Sequence, residues 1–222
     1  LLLGSRGEAA RPTLTKATFI SLEGCDGVGK STQFERLCRA LLDLGWPVEA
    51  VREPGGTEIG ERIRTIILDP ANQEMASTAE ALLYAASRAQ LVAEKIQPAL
   101  ARGGLVLADR YVDSSLVYQG HALGLGRREV ASINRFATGG LLPDLTLLLD
   151  ADPNQGLVQL KSARPQDRIE RRAQAYRQQV REGYLELARE DPGRFRVIRA
   201  DRPIDEVHWD LLQTVLDFIK NR

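Results

Sequence analysis

The sequence predicts an α/β fold: a three-layer arrangement with five mostly parallel strands, helices on both faces and a short lid segment. Three observations predict it. Short apolar runs alternate with helical patterns along the chain. The first run leads straight into a glycine-rich stretch, EGCDGVGKST at 23–32, which opens a helix. Two later runs, LVLA at 105–108 and LTLLLD at 145–150, are nearly unbroken, as strands buried on both faces are.

The elements follow in order. Thr18–Glu23 is the first strand, and good helix formers run from Lys30 to Leu44, where Gly45 stops them. Pro47–Arg52 is the second strand. REPGGT at 52–57 is too rich in turn residues to be regular. Glu58–Leu68 carries Ile59, Ile63, Ile66 and Ile67 near one helical face. Thr78–Leu100 is a longer helix, with Pro98 placed to kink its end and Arg102-Gly103-Gly104 placed to stop it. Leu105–Ala108 is a strand, Arg127–Thr138 a helix and Leu145–Asp150 a strand. Asn154–Gln159 begins a helix, and the charged, proline-broken KSARPQDRIERR at 161–172 reads as a solvated linker or a lid. Ala173–Glu190, Arg196–Arg199 and Ile204–Phe218 close the chain as helix, strand and amphipathic helix.

Composition narrows the function classes. The chain has 222 residues, enough for one domain, taken here as 17–222 with a lid at about 160–172. Residues 1–16 read as a loose arm or an expression remnant and show no useful signal-peptide core. Thirty basic residues balance thirty acidic ones, so bulk charge gives no argument for nucleic acid or an anionic membrane. No apolar run approaches membrane-spanning length. The two cysteines, Cys25 and Cys38, do not form a disulfide framework, and a reduced cytoplasm is the expected home.

The stretch 24–31, G-C-D-G-V-G-K-S, fits a phosphate-binding loop between a strand and a helix. Its backbone N–H groups from Gly24 through Cys25, Asp26, Gly27, Val28, Gly29 and on to Thr32 converge on phosphate, aided by the helix dipole. Lys30 reaches the β- and γ-phosphates, and the Ser31 hydroxyl holds Mg²⁺. Use of a nucleoside triphosphate follows. Asp109, at the end of a strand beside that loop, is either a Mg²⁺ ligand or a turn aspartate. Arg110 has a planar fork suited to a phosphate, although an arginine after a strand is, taken singly, more often a surface residue. Tyr84 and Arg88, four apart on a helix, share a face. They read as a base-stacking pair or as a packed ring with a snorkelling arginine.

Taken together, these residues resemble the bacterial thymidylate kinases. The motifs that carry the resemblance occur in order: EGCDGVGKST at 23–32, REPGGT at 52–57, LLYAASRAQ at 82–90, DRYVDSSLVYQG at 109–120, and LPDLTLLLD at 142–150 followed by DRIE at 167–170. The set covers about residues 18–220. It implies ATP and dTMP as substrates with Mg²⁺, and a homodimer with no nucleic-acid or membrane partner. It implies that Asp26 lies near the sugar 3′-hydroxyl and acceptor phosphate, and that Glu53-Pro54 forms an acceptor-site turn that is often cis. It implies that Tyr84 stacks on thymine, Arg88 bonds the O4 edge and Arg110 holds the dTMP phosphate. Ser114 and Ser115 fall beside the base, Tyr118 crowds the sugar 2′-position, Gln119 lies next to it, and Asp109 joins the Mg²⁺ network. Some members carry an arginine inside the phosphate loop, where this chain has Gly27. The resemblance then passes the missing cation to the lid, to Arg164 or Arg168. Adenylate or shikimate kinases, a nucleotide-binding regulatory module and a DNA-handling ATPase would share the loop but not this set of motifs.

Overall fold

The computed structural model describes residues 16–152 and 167–222. The helix expected over Asn154–Gln159 and the lid residue Arg164 lie outside the described residues. Among those described, five strands form one parallel sheet in the order β2-β3-β1-β4-β5. They are β1 (Thr18–Gly24), β2 (Val48–Arg52), β3 (Leu105–Asp109), β4 (Leu145–Asp150) and β5 (Phe195–Arg199). β1 lies at the centre, every residue buried, which is why TFISLEG carries no polar alternation of the half-exposed kind.

The period of two along each strand sorts side chains into two layers. Phe19, Val51, Val106 and Ala108 face one side and pack with Leu91, Val92 and Ile96. Ile20, Leu22, Leu105 and Leu107 face the other and pack with Leu37, Leu41, Leu211 and Val215. Each such aliphatic side chain contributes roughly 1.5–3 kcal/mol through burial. The helices that supply these partners are α1 (Lys30–Asp43), α3 (Ser77–Leu91) and α8 (Ile204–Lys220), with α2 (Glu58–Leu68), α6 (Arg127–Thr138) and α7 (Gln174–Glu190) completing the shell. The three-layer parallel architecture is therefore as the sequence predicts. No described helix is long and apolar enough to cross a membrane.

Two helical segments depart from expectation. The long helix through Leu100 is regular only to Leu91. A wide π-helical turn over Val92–Ile96 follows, and α4 (Gln97–Ala101) completes it. Pro98 sits at the start of α4. It lacks an N–H, and in a regular helix its ring would strike the carbonyl four residues back, so the wide turn accommodates it without ending the helix. The second departure was not anticipated at all. Residues 112–122 are helical, as α5 (Val112–Ser115) continuing into a π-helical stretch over Leu116–Ala122. Val117, Tyr118, Gln119 and Gly120 are buried in succession there, so no amphipathic stripe marks the helix.

The register of the central strands places the active groups. Leu22 pairs with Asp109, and the ladder continues past the strand ends as Arg110 N–H donates to Leu22 O (3.1 Å) and Glu53 N–H donates to Asp109 O (3.0 Å). The chain leaves β1 at Gly24, whose φ is +142°. A Cβ there would stand 2.5 Å from Leu149 O in β4. Gly24→Ala is thus expected to lower stability by about 1–3 kcal/mol. A urea-unfolding midpoint equal to that of the wild type would contradict this account of the β1 exit.

Candidate active site

The carboxyl ends of β1, β2 and β3 open into one cavity of about 630 Å³. Parallel sheets place their strand ends, and the loops that follow, on one edge, which is why residues distant in sequence meet there. One end of the cavity is lined by Asp26, Gly27, Gly29, Lys30, Ser31 and Thr32. The other is lined by Glu53, Pro54, Tyr84, Arg88, Ser115, Tyr118 and Gln119, with Asp109, Arg110 and Ser114 between. The described sequence-predicted residues are thus brought together, apart from Arg168 and the loop residues Gly24, Cys25 and Val28, which do not form its wall.

At the loop end, Gly27 and Gly29 take φ of 85° and 88°, conformations glycine adopts freely. Gly29 leads into α1, which has no side-chain cap and no acidic residue in its first turn. Its leading N–H groups therefore stay available to an anion. Lys30 is buried, and its Nζ donates to Cys25 O at 2.7 Å. Burial and the nearby Arg110 push its ammonium below the usual lysine range, against the opposing pull of Asp26 and Asp109. The Cys25 thiol is pushed up to about 12, chiefly by burial and then by Asp26.

Asp109 is the last residue of β3, and its Oδ1 is buried without a hydrogen-bond partner. An orphaned carboxylate oxygen is costly unless something satisfies it. Ser31 lines the same cavity. A hydroxyl and a carboxylate, with no wider cage of acidic ligands among the described residues, suit Mg²⁺, which keeps waters and takes its remaining oxygens from phosphates.

Arg110 takes φ of 71°, a conformation disfavoured outside glycine by about 1–3 kcal/mol. Its guanidinium pairs with Asp26. It also donates to Gly24 O (3.1 Å), Ser114 Oγ (3.1 Å), Tyr184 OH (3.2 Å) and Tyr118 OH (3.2 Å). Tyr118 OH in turn donates to Asp26 Oδ2 at 3.1 Å. Burial alone would raise Asp26, but Arg110 and Lys30 together hold its carboxyl below the ordinary aspartate range. Arg110 is therefore tied both to Asp26 of the loop and to Tyr118 of the pocket, which fixes its guanidinium on the cavity wall.

Arg88 departs from the sequence reading. It is fully buried and pairs with Glu53, with Nε at 2.7 Å from Oε2. It also donates to Ser115 Oγ (3.0 Å), Asn134 Oδ1 and Tyr111 O (3.1 Å), and its cation lies over the Tyr111 ring rather than beside Tyr84. All its N–H groups are engaged, so Arg88 could read a base edge only by giving up one of these bonds, and its partner Ser115 is on the cavity wall. Glu53, joined to Pro54 by a cis peptide, serves as the brace of this arginine.

Arg168 departs further. Its Nε donates to Ile67 O (2.7 Å) and its NH2 group to Glu80 (2.5 Å), and it is buried against α2 and α3 rather than facing the phosphate loop. The motif DRIE had suggested a cation over the transferring phosphoryl group. A buried carboxylate on α3 holds it instead. Sequence reasoning also missed Arg64, which lines the cavity and donates to Pro54 O at 2.8 Å. Glu23, Glu80, Asn134 and Tyr184 were missed as well. Only Glu23 carried a signal, as an acid ending an otherwise apolar strand.

Glu23 is wholly buried and accepts from Tyr111 N–H (2.7 Å), Ser114 Oγ (2.6 Å) and Tyr184 OH (2.8 Å). Burial, then the charge of Asp113, lift its carboxyl from 4.5 to about 7, although Arg110, Ser114 and Tyr184 oppose the rise. The unfolded chain releases this proton near 4.5 and the folded chain holds it to about 7. Rising pH through that window therefore favours unfolding, by about 3 kcal/mol at most. Wild type should lose stability relative to Glu23→Gln between pH 4.5 and 7 in urea titrations, and parallel pH curves would contradict the shift.

The family model described as Thymidylate kinase matches residues 22–211. A thymidylate kinase of Symbiobacterium thermophilum is 48% identical over 206 residues, covering 93% of this chain and 96% of the relative. One from Pelotomaculum thermopropionicum is 50% identical over 210 residues, covering 92% and 97%. One from a Thermoanaerobacter species is 46% identical over 204 residues, covering 92% and 100%. With a match over most of its length and these identities, the chain belongs to the thymidylate kinase family.

Proposed function

We propose that the residues of this cavity divide a single reaction between them: transfer of the γ-phosphoryl group of ATP to dTMP, giving dTDP and ADP. The protein is an ATP-dependent dTMP kinase. The observation that carries the division of roles is the continuity of the cavity, which runs from the phosphate loop past Arg110 to Tyr84 and Gln119. Two nucleotides can lie end to end in it, with their phosphates meeting beside Lys30, Asp109 and Arg110.

A phosphate oxygen of dTMP attacks Pγ, a new P–O bond forms, and the bond to the β-phosphate bridging oxygen breaks so that ADP leaves. Both reactants are anions, so compensation must come from the protein. The loop N–H groups and Lys30 hold the donor phosphates, with Lys30 turning from Cys25 O to the ligand. Arg110, set in place by Asp26 and Tyr118, holds the acceptor phosphate. Ser31 and Asp109 would hold Mg²⁺, which supplies further neutralisation of the phosphates when bound. Tyr84 covers the base, Arg88 and Ser115 read its edge, and Tyr118 fills the space beside C2′. Exclusion of a ribose hydroxyl by bulk is more effective than any reward for its absence. The unpaired Cys25 and Cys38 support a cytoplasmic home.

We place the homodimer face on α2, α3 and α6. α2 packs on α3 and α3 on α6, and they expose Ile59, Ile66, Leu82 and Phe136, the last 92% exposed. Large apolar side chains left to water on adjacent helices suit a second copy. Phe136→Asp should shift the sedimenting species from dimer to monomer. A wild-type chain that sediments as a monomer would overturn the assignment.

ADP release measured with dTMP, dUMP, dCMP and AMP as acceptors tests the function, with dTMP expected to be preferred. ATP consumption independent of acceptor would count against a monophosphate kinase. Lys30→Ala should lower kcat by about a hundredfold or more, because it removes charge stabilisation that grows in the transition state. Near-normal turnover at saturating ATP and dTMP would remove Lys30 from the mechanism.

A further inference from the structure

Glu80 is a carboxylate buried on α3, one helical turn before Tyr84, and the reaction described above makes no use of it. Three side chains converge on it. Gln119 donates from Nε2 to Glu80 Oε1 at 2.8 Å, and Arg168 and Arg172 both donate to Oε2. The two arginines are themselves fixed. Arg168 Nε bonds Ile67 O, and Arg172 bonds Tyr176, whose hydroxyl donates to Tyr118 O. Gln119 is almost wholly buried yet lines the cavity. Its Oε1 takes no hydrogen bond from the described residues.

A glutamine side chain offers a donor at one end of its amide and an acceptor at the other. A carboxylate facing guanidinium groups accepts and does not donate, so only the NH₂ end can face Glu80. The oxygen end is then left for the ligand. We propose that Glu80 is a specificity-determining positioning residue: it locks the Gln119 amide with its oxygen toward the acceptor pocket, so the site selects a pyrimidine whose ring nitrogen carries a hydrogen. Thymine and uracil present N3–H to that oxygen. Cytosine, seated the same way, presents a lone pair at N3, and two acceptors then face each other without a proton between them. The arginines matter because they occupy the other carboxylate oxygen and so fix which way the group turns.

The inference rests on the dTMP kinase reading, and one substitution separates the two. In Glu80→Gln the arginines claim the single amide oxygen of residue 80, and its NH₂ end is turned toward Gln119. The Gln119 amide then inverts and points its NH₂ end at the ligand. The kcat/KM ratio of dTMP to dCMP should fall by roughly tenfold or more. The ratio of dTMP to dUMP should stay unchanged, since both bases carry N3–H. A structural loss would lower all three acceptors together and move neither ratio. The swapped variant E80Q/Q119E restores an acceptor-only group at position 119 and keeps one carboxylate in the cluster. It should recover discrimination against dCMP, and it serves as the test if Glu80→Gln alone does not fold. Wild type that fails to phosphorylate dTMP would defeat the functional reading. Wild type that prefers dTMP, with a folded Glu80→Gln variant of unchanged dTMP to dCMP ratio or a swapped variant that fails to discriminate, would overturn the role of Glu80.

Discussion

The site depends on buried and half-buried acids that hold arginines still. Glu53 grips Arg88, Asp26 grips Arg110, and Glu80 grips Arg168 and Arg172. Burying either partner alone is expensive, and the pairing recovers that cost only when geometry and hydrogen bonding are nearly complete. Here they are nearly complete, because each guanidinium also meets backbone carbonyls or hydroxyls. The stability return on such pairs is small. Their return to function is larger, since a cation already oriented loses little entropy when an anionic substrate arrives.

This dependence explains how the sheet serves the chemistry. The short ladder bonds beyond β2 and β3 fix the backbone at Glu53 and Arg110, so both acid–arginine pairs start from a rigid edge. Glu23 extends the same scheme one layer inward. It binds the hydroxyls of Ser114 and Tyr184, and both of those accept from Arg110. Arg110 is therefore backed by a buried acid through Ser114 and Tyr184 and paired directly with Asp26.

Much of this was legible in the sequence where the signal is local. The phosphate loop sits between a strand and a helix, and three buried strands read as apolar runs, so the layer order followed directly. Partners distant along the chain were not legible. Arg88 finds Glu53 thirty-five residues away, and Arg168 finds Glu80 eighty-eight residues away. No periodicity reports such a meeting, so Arg168 looked like a cation for the phosphates until α3 was seen to supply its counter-charge. The helix over 112–122 escaped for another reason. A segment buried on every side has no polar face to reveal its period, and its serines and tyrosine read as site chemistry.

The wide turn in that segment also limits how the chain can vary. A π-helical turn holds one residue more than an α-helical turn over the same rise, so the buried run from Val117 to Gly120 carries an extra residue in its winding. Removing a single residue there would leave a well-formed α-helix with its flanks still in register, yet the side chains inside the wide turn would be redistributed around the helix. The local hydrogen bonds would survive while Tyr118 and Gln119 turned away from the cavity. The length of the segment, as much as its residues, therefore shapes this wall of the cavity.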